Sequence, residues 1–149
     1  MSSHTAKLAW RRRTPGFGYE EYDRRHSWSF DSGIELKASA SPEFRGSPDC
    51  VDPEEALVAA LASCHMLTFL AIASRKRLVV DAYEDEAVGW LEKNAEGKLA
   101  VTRVSLRPKI KFAGEPPAPE ELAKLHELSH QQCFLANSVR TAITIDAPL

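Results

Sequence analysis

The 149-residue chain is 44% hydrophobic and 27% charged with a formal net charge of -2 at pH 7, the make-up of one ordinary globular domain over residues 1–149, which excludes a disordered or collagen-like polymer. A near-neutral balance gives no electrostatic reason to expect nucleic acid or a membrane surface as a partner. The opening residues Met1-Ser2-Ser3-His4-Thr5-Ala6-Lys7 lack the apolar core of a secretory signal, so a cytoplasmic location is expected.

Residues 1–50 read as short β-strands separated by turns. Thr5 to Trp10 alternates apolar and polar, Ser27 to Asp31 carries Trp28 and Phe30 on one face, and Ile34 to Ala38 follows a turn at Ser32-Gly33. Two loops rich in turn residues intervene, Arg11 to Gly18 and Ser41 to Asp49. The run Arg11-Arg12-Arg13 is short, and in a mildly acidic chain it reads as a solvated loop, with no nucleic-acid contact expected.

A long helix is predicted over residues 52–76. Asp52 supplies a capping oxygen, Pro53 suits the first helical position, Glu54 and Glu55 suit the positive end of the helix dipole, and Arg75-Lys76-Arg77 suits the other end. Leu57, Val58, Leu61, Met66, Leu67, Phe69, Leu70 and Ile72 are not confined to one stripe, so the helix is expected to be buried nearly all round. It would be roughly 30 Å long, about the diameter of a small domain. One chain of this size does not easily surround it, which predicts an obligate homodimer with a large apolar interface. Ser63, Cys64, His65 and Thr68 interrupt the apolar segment and argue against a membrane span.

Residues 79–149 follow a strand, strand, helix, strand order. Val79 to Glu92 and Leu99 to Phe112 read as two strands joined at Asn94-Ala95-Glu96-Gly97, Leu122, Leu125 and Leu128 mark a helix after Pro119, and Arg140 to Ile145 reads as the last strand. The whole is an α+β fold with mostly antiparallel pairing.

Three cysteines cannot all enter a closed disulfide framework, and a reducing cytoplasm disfavours permanent bridges. Cys64 in the long helix and Cys133 in Gln131-Gln132-Cys133-Phe134 therefore suggest transient redox chemistry, against the simpler reading of Cys64 as a small core residue. Cys50 reads as incidental. His126, His130 and Cys133 fall at i, i+4 and i+7 on one helix face and form an alternative, metal-binding constellation. His65 points about 100° away from Cys64 around the helix, so a dimer contact is expected of it rather than base catalysis. Glu54 and Cys64 stand ten positions apart, about 15 Å along a continuous helix, so they can share a site only if the helix breaks or the glutamate comes from a second chain.

Asp52-Pro53-Glu54-Glu55, the small-residue run ending Ala62-Ser63-Cys64, and Cys133-Phe134-Leu135-Ala136-Asn137-Ser138 together resemble the OsmC/Ohr family of thiol peroxidases. The resemblance follows the order of elements over nearly the whole chain. It implies an OsmC-like fold, antiparallel sheets around a buried central helix in an intertwined homodimer. It also implies an antioxidant role in the oxidative stress response: reduction of organic hydroperoxides and regeneration by a dithiol such as protein-bound lipoamide, with neither cofactor nor metal. By the same likeness Cys64 is the peroxidatic cysteine, Cys133 the resolving one, Glu54 the carboxylate that orients an arginine, and Arg45 the arginine that matches. Phe134 departs from the proline that family members carry after the second cysteine. The alternative reading is a metal-binding or small-ligand-binding dimer of the same fold, without peroxidase turnover, with His126, His130 and Cys133 as ligands.

Overall fold

The computed structural model describes residues 1–147, which divide into two compact units after Ala56. The first unit is a three-stranded antiparallel sheet of β1 (Ala6–Ala9), β2 (His26–Phe30) and β3 (Glu35–Ala38), in that order. Gly33, at φ +82°, supplies the left-handed residue that the tight β2–β3 turn needs, and its N–H donates to the Phe30 carbonyl at 2.9 Å. The register places Trp28 opposite both Leu8 and Leu36, so one sheet face carries an apolar row of which Leu8 remains 62% exposed. After a 3-10 turn at Pro42–Phe44, Val51 returns to pair with Ala38, and Gly46 passes so close to Ala40 that a Cβ there would collide with its carbonyl.

Helix α1 runs unbroken from Pro53–Arg75, 23 residues or about 35 Å. Its start is the predicted one. The Asp52 carboxylate accepts from the Glu55 N–H at 2.8 Å and Glu55 accepts from the Asp52 N–H at 3.2 Å, a reciprocal cap that satisfies two otherwise orphaned groups. At the far end Leu78 N–H donates to the Ala73 carbonyl and Arg77 N–H to that of Ser74, with Arg77 itself in the left-handed region at φ 61°.

The second unit packs the rest of α1 against two small sheets and helix α2 (Pro119–Gln132). β4 (Val80–Asp85) pairs with β7 (Pro108–Phe112), and β5 (Val88–Lys93) pairs with β6 (Leu99–Leu106), which also takes β8 (Ala142–Ile145) in parallel. The two long strands expected from the sequence are thus each split in two. The interruption falls at Glu86-Ala87 on one side and Arg107 on the other, where the Arg107 N–H leaves the ladder and donates to the Asp85 carboxylate at 2.7 Å. Each half of the ribbon then faces its own core. Leu61, Val104 and Leu106 centre one, with Ile143 and Ile145 against them; Phe69, Ile72, Ala73 and Leu125 centre the other, with Ile110 and Phe112. Gly89 is required at the first, because a Cβ there would lie 2.5 Å from Val58 Cγ2.

The chain buries one stripe of α1, Leu61, His65, Phe69, Ile72 and Ala73, spaced at three and four residues. The other face stays open: Leu67 is 60% exposed. By length and composition α1 would also suit a bilayer, and 28% of its most apolar stretch is buried.

Candidate functional site

Cys64 sits mid-way along α1, half-buried, one step around the helix from the core stripe. Cys133 caps the C-terminal end of α2, where the backbone turns extended (φ -70°, ψ 116°), and is 1% exposed. Its sulfur accepts from the Ala136 N–H at 3.4 Å, and its carbonyl accepts from the Asn137 N–H at 3.1 Å, so the 3-10 turn Ala136–Ser138 folds back over the thiol. The structure brings the two cysteines together. Burial, and then the adjacent Cys64 thiol, push the Cys133 thiol above its ordinary value, while the Ala136 N–H works the other way. Both are free thiols.

A groove of about 830 Å³ opens on Cys64. One wall is the open face of α1, Ala60, Cys64, Leu67, Thr68, Ala71 and Arg75; the other is the segment after α2, with Phe134, Leu135 and Asn137. The walls are chiefly apolar, with Arg75 at one end, eleven residues or about 16 Å along the helix from Cys64. Phe134, 82% exposed, presents its ring where a proline was the expected residue.

Arg45 and Glu54 belong to the first unit. Arg45 is the residue after the Pro42–Phe44 turn, in the left-handed region, and its guanidinium is already paired with Glu20 at 3.0 Å, both side chains largely exposed. Glu54 lies in the first turn of α1; burial holds its carboxyl above the ordinary range, with Asp52 adding to the rise and a backbone hydrogen bond opposing it. Because α1 does not break, the Glu54 and Cys64 of one chain stay about 15 Å apart along it. Arg24, not singled out by the sequence, is held between the Tyr19 and Tyr22 rings, 4.8 and 3.8 Å from their centroids, and donates to the carbonyls of Tyr22 and Tyr19. Among the described residues it has no carboxylate partner.

His65 departs from its expected role at a dimer contact: it is 1% exposed, and its Nε2 lies 3.1 Å from Nδ1 of His126. The sequence carried a signal for this, since Leu61, His65 and Phe69 recur every four residues on the core stripe. The metal-binding trio does not assemble. His126 turns to His65, the extended backbone at Cys133 takes that residue off the helix face, and among the described residues no group of three or more His, Cys, Asp or Glu side chains is placed to hold a metal.

A family model described as OsmC-like protein matches residues 46–147. The chain belongs to the OsmC-like family. The solved structure of an OsmC-like protein of unknown function from Vibrio cholerae is 47% identical, with a TM-score of 0.92 over 99% of this chain and 100% of that one. An organic hydroperoxide resistance protein OsmC from Legionella pneumophila superposes with a TM-score of 0.74 at 16% identity, covering 100% of this chain and 98% of that one. One from Elizabethkingia anophelis, also an organic hydroperoxide resistance protein, gives 0.73 at 18% identity over 99% and 94% of the two chains. At such identities the likeness is one of OsmC-like fold. No curated protein matches by sequence.

Proposed function

We propose that this OsmC-like protein is a thiol-dependent peroxidase acting on organic hydroperoxides. The observation that carries the reading is a half-buried cysteine on an apolar groove with a second, buried thiol beside it. That two relatives of the same fold are named organic hydroperoxide resistance proteins supports it. In the cycle, the Cys64 thiolate attacks one peroxide oxygen, an S–O bond forms as the O–O bond breaks, and the alcohol leaves with a proton. The Cys133 thiol then attacks the sulfenic sulfur, the disulfide forms and water departs. A dithiol such as protein-bound lipoamide restores both thiols by exchange and is itself oxidised to its disulfide. A reducing cytoplasm suits this cycle.

The active form is a homodimer. The open face of α1 and the apolar row on the N-terminal sheet each leave apolar surface that a second copy covers. Glu54 of the partner, rather than of the same chain, reaches the Cys64 site, because an unbroken helix separates the two within one chain. The thiolate needs a cation. Arg45 fills this role by family likeness, on release from its pairing with Glu20. The test is steady-state reduction of an organic hydroperoxide with a dithiol as donor. Cys64→Ser abolishes it, and full activity in that variant contradicts the proposal. Arg45→Lys lowers the rate.

A further inference from the structure

His65 follows Cys64 on α1, and His126 stands two turns before Cys133 on α2. Their rings lie nearly parallel, with centroids 5.4 Å apart and planes 10° from each other, and the 3.1 Å contact joins Nε2 of His65 to Nδ1 of His126. With the residues 1% and 4% exposed, water does not compete for this bond. It is a direct polar link between the two segments that carry the sulfurs. The outer nitrogens, Nδ1 of His65 and Nε2 of His126, have no partner among the described residues, so no wider network of these residues orients the rings. What fixes them is their mutual bond and the Phe69 ring, 4.7 Å from that of His126.

Packing alone does not call for two imidazoles here. The stripe Leu61, His65, Phe69 would accept leucine, without leaving two buried polar atoms unsatisfied. A neutral imidazole offers one donor and one acceptor, so the pair is complementary when both rings are neutral. Protonating one buries a charge; protonating both sets N–H against N–H. The groups facing the pair are His130 from α2 and, beyond Phe69 on β4, the Tyr83 phenol with Asp85 near it.

We propose that the His65–His126 hydrogen bond is a positioning device: it sets the placement of α2 on α1 at which Cys133 lies against Cys64, and so governs how fast the disulfide closes. Both histidines are positioning residues, touching neither peroxide nor sulfur chemistry directly. Disulfide closure demands a Cβ separation of roughly 3.5–4.5 Å, so a slip of about an ångström between the helices matters for this step. Attack of Cys64 on a peroxide needs no such alignment with α2. The inference deepens the peroxidase reading and rests on it for its biological role, yet sulfur–sulfur closure is measurable with any two-electron thiol oxidant.

The experiment uses the full-length Cys50→Ser protein and a diazene oxidant, which takes one hydrogen from each thiol and becomes the hydrazine as the S–S bond forms. His126→Phe closes the disulfide about 10²-fold more slowly than the parent. His126→Asn, whose amide can occupy the place of Nδ1, recovers most of the rate. Alkylation of Cys64 by iodoacetamide proceeds equally in all three. As the pH is lowered from 7 toward 4, the ratio of the parent's rate to that of His126→Phe at the same pH falls. Closure in His126→Phe at the parent rate, or no recovery in His126→Asn, overturns the proposal. If His126→Phe loses its helical circular dichroism, His65→Leu takes its place and His65→Gln that of His126→Asn, with the same rates expected and the same rates overturning the proposal. Closure by the diazene as described, with no oxidation of Cys64 by organic hydroperoxides, upholds the positioning role and removes the peroxidase reading instead.

Discussion

The buried histidine pair makes stability fall with acidity in a window that the structure defines. Burial is the main reason that His65 and His126 each titrate at about 4 instead of 6.5, with the charges of His126 and His130 contributing at His65. A histidine whose folded value is depressed binds its proton more readily in the unfolded chain. Its contribution is therefore intact above pH 6.5 and is lost progressively as the pH falls from there toward 4. At pH 4.5 the loss is on the order of 2 to 3 kcal/mol for each ring, or about 5 kcal/mol for the pair. That is comparable with the whole stability of many domains, about 5–15 kcal/mol. The assay is urea unfolding at pH 7.5 and 4.5, at one protein concentration, for the parent and the double variant H65L/H126F. The parent loses about 5 kcal/mol more than the variant between the two pH values. Carboxylates held high by burial, such as Asp85, are common to both proteins and cancel in the comparison. Equal losses refute the assignment of the pair as buried and neutral.

Three other perturbations test the framework that holds the site. Gly89→Ala places a Cβ 2.5 Å from Val58 Cγ2, in the core under Cys64's own helix, and destabilises by about 1–3 kcal/mol in thermal or urea melts; an unchanged midpoint contradicts the packing. Asp52→Ala removes the reciprocal cap of α1 and lowers stability by about 1 kcal/mol, measured the same way, while Asp52→Asn keeps most of it. Leu67→Lys puts a charge on the open face of α1 and converts the proposed dimer to monomer in analytical ultracentrifugation; a dimer of undiminished affinity moves the interface elsewhere.

Much of this architecture is legible from residues that act locally. The Asp52-Pro53-Glu54-Glu55 start of α1, the Asn94 to Gly97 turn and the Pro119 start of α2 each depend on a few neighbouring side chains, so their sequence is a sufficient signal. The split of the long ribbon at Glu86-Ala87 and Arg107 is not local: it depends on two cores on opposite halves of α1, which no strand pattern reveals. The site divides in the same way. Cys64 and Cys133 stand out as a thiol pair, whereas the partnership of His65 with His126 spans 61 positions and needs the packed helices to exist. The metal-like spacing of His126, His130 and Cys133 does not become a site because helical periodicity ends one residue too soon, at the extended backbone of Cys133. Arg24 is distinguished by Tyr19 and Tyr22, close by in sequence, but the cradle they form exists only once the turn between them has folded.

The central claim is that Cys64 meets the peroxide and Cys133 captures the product, and peptide mapping by mass spectrometry after one equivalent of an organic hydroperoxide tests it most directly. A Cys64–Cys133 disulfide is predicted in the parent protein, and in Cys133→Ser a single added oxygen on Cys64 that further peroxide drives to the sulfinic acid. An unmodified Cys64, or oxidation confined to Cys50, contradicts it.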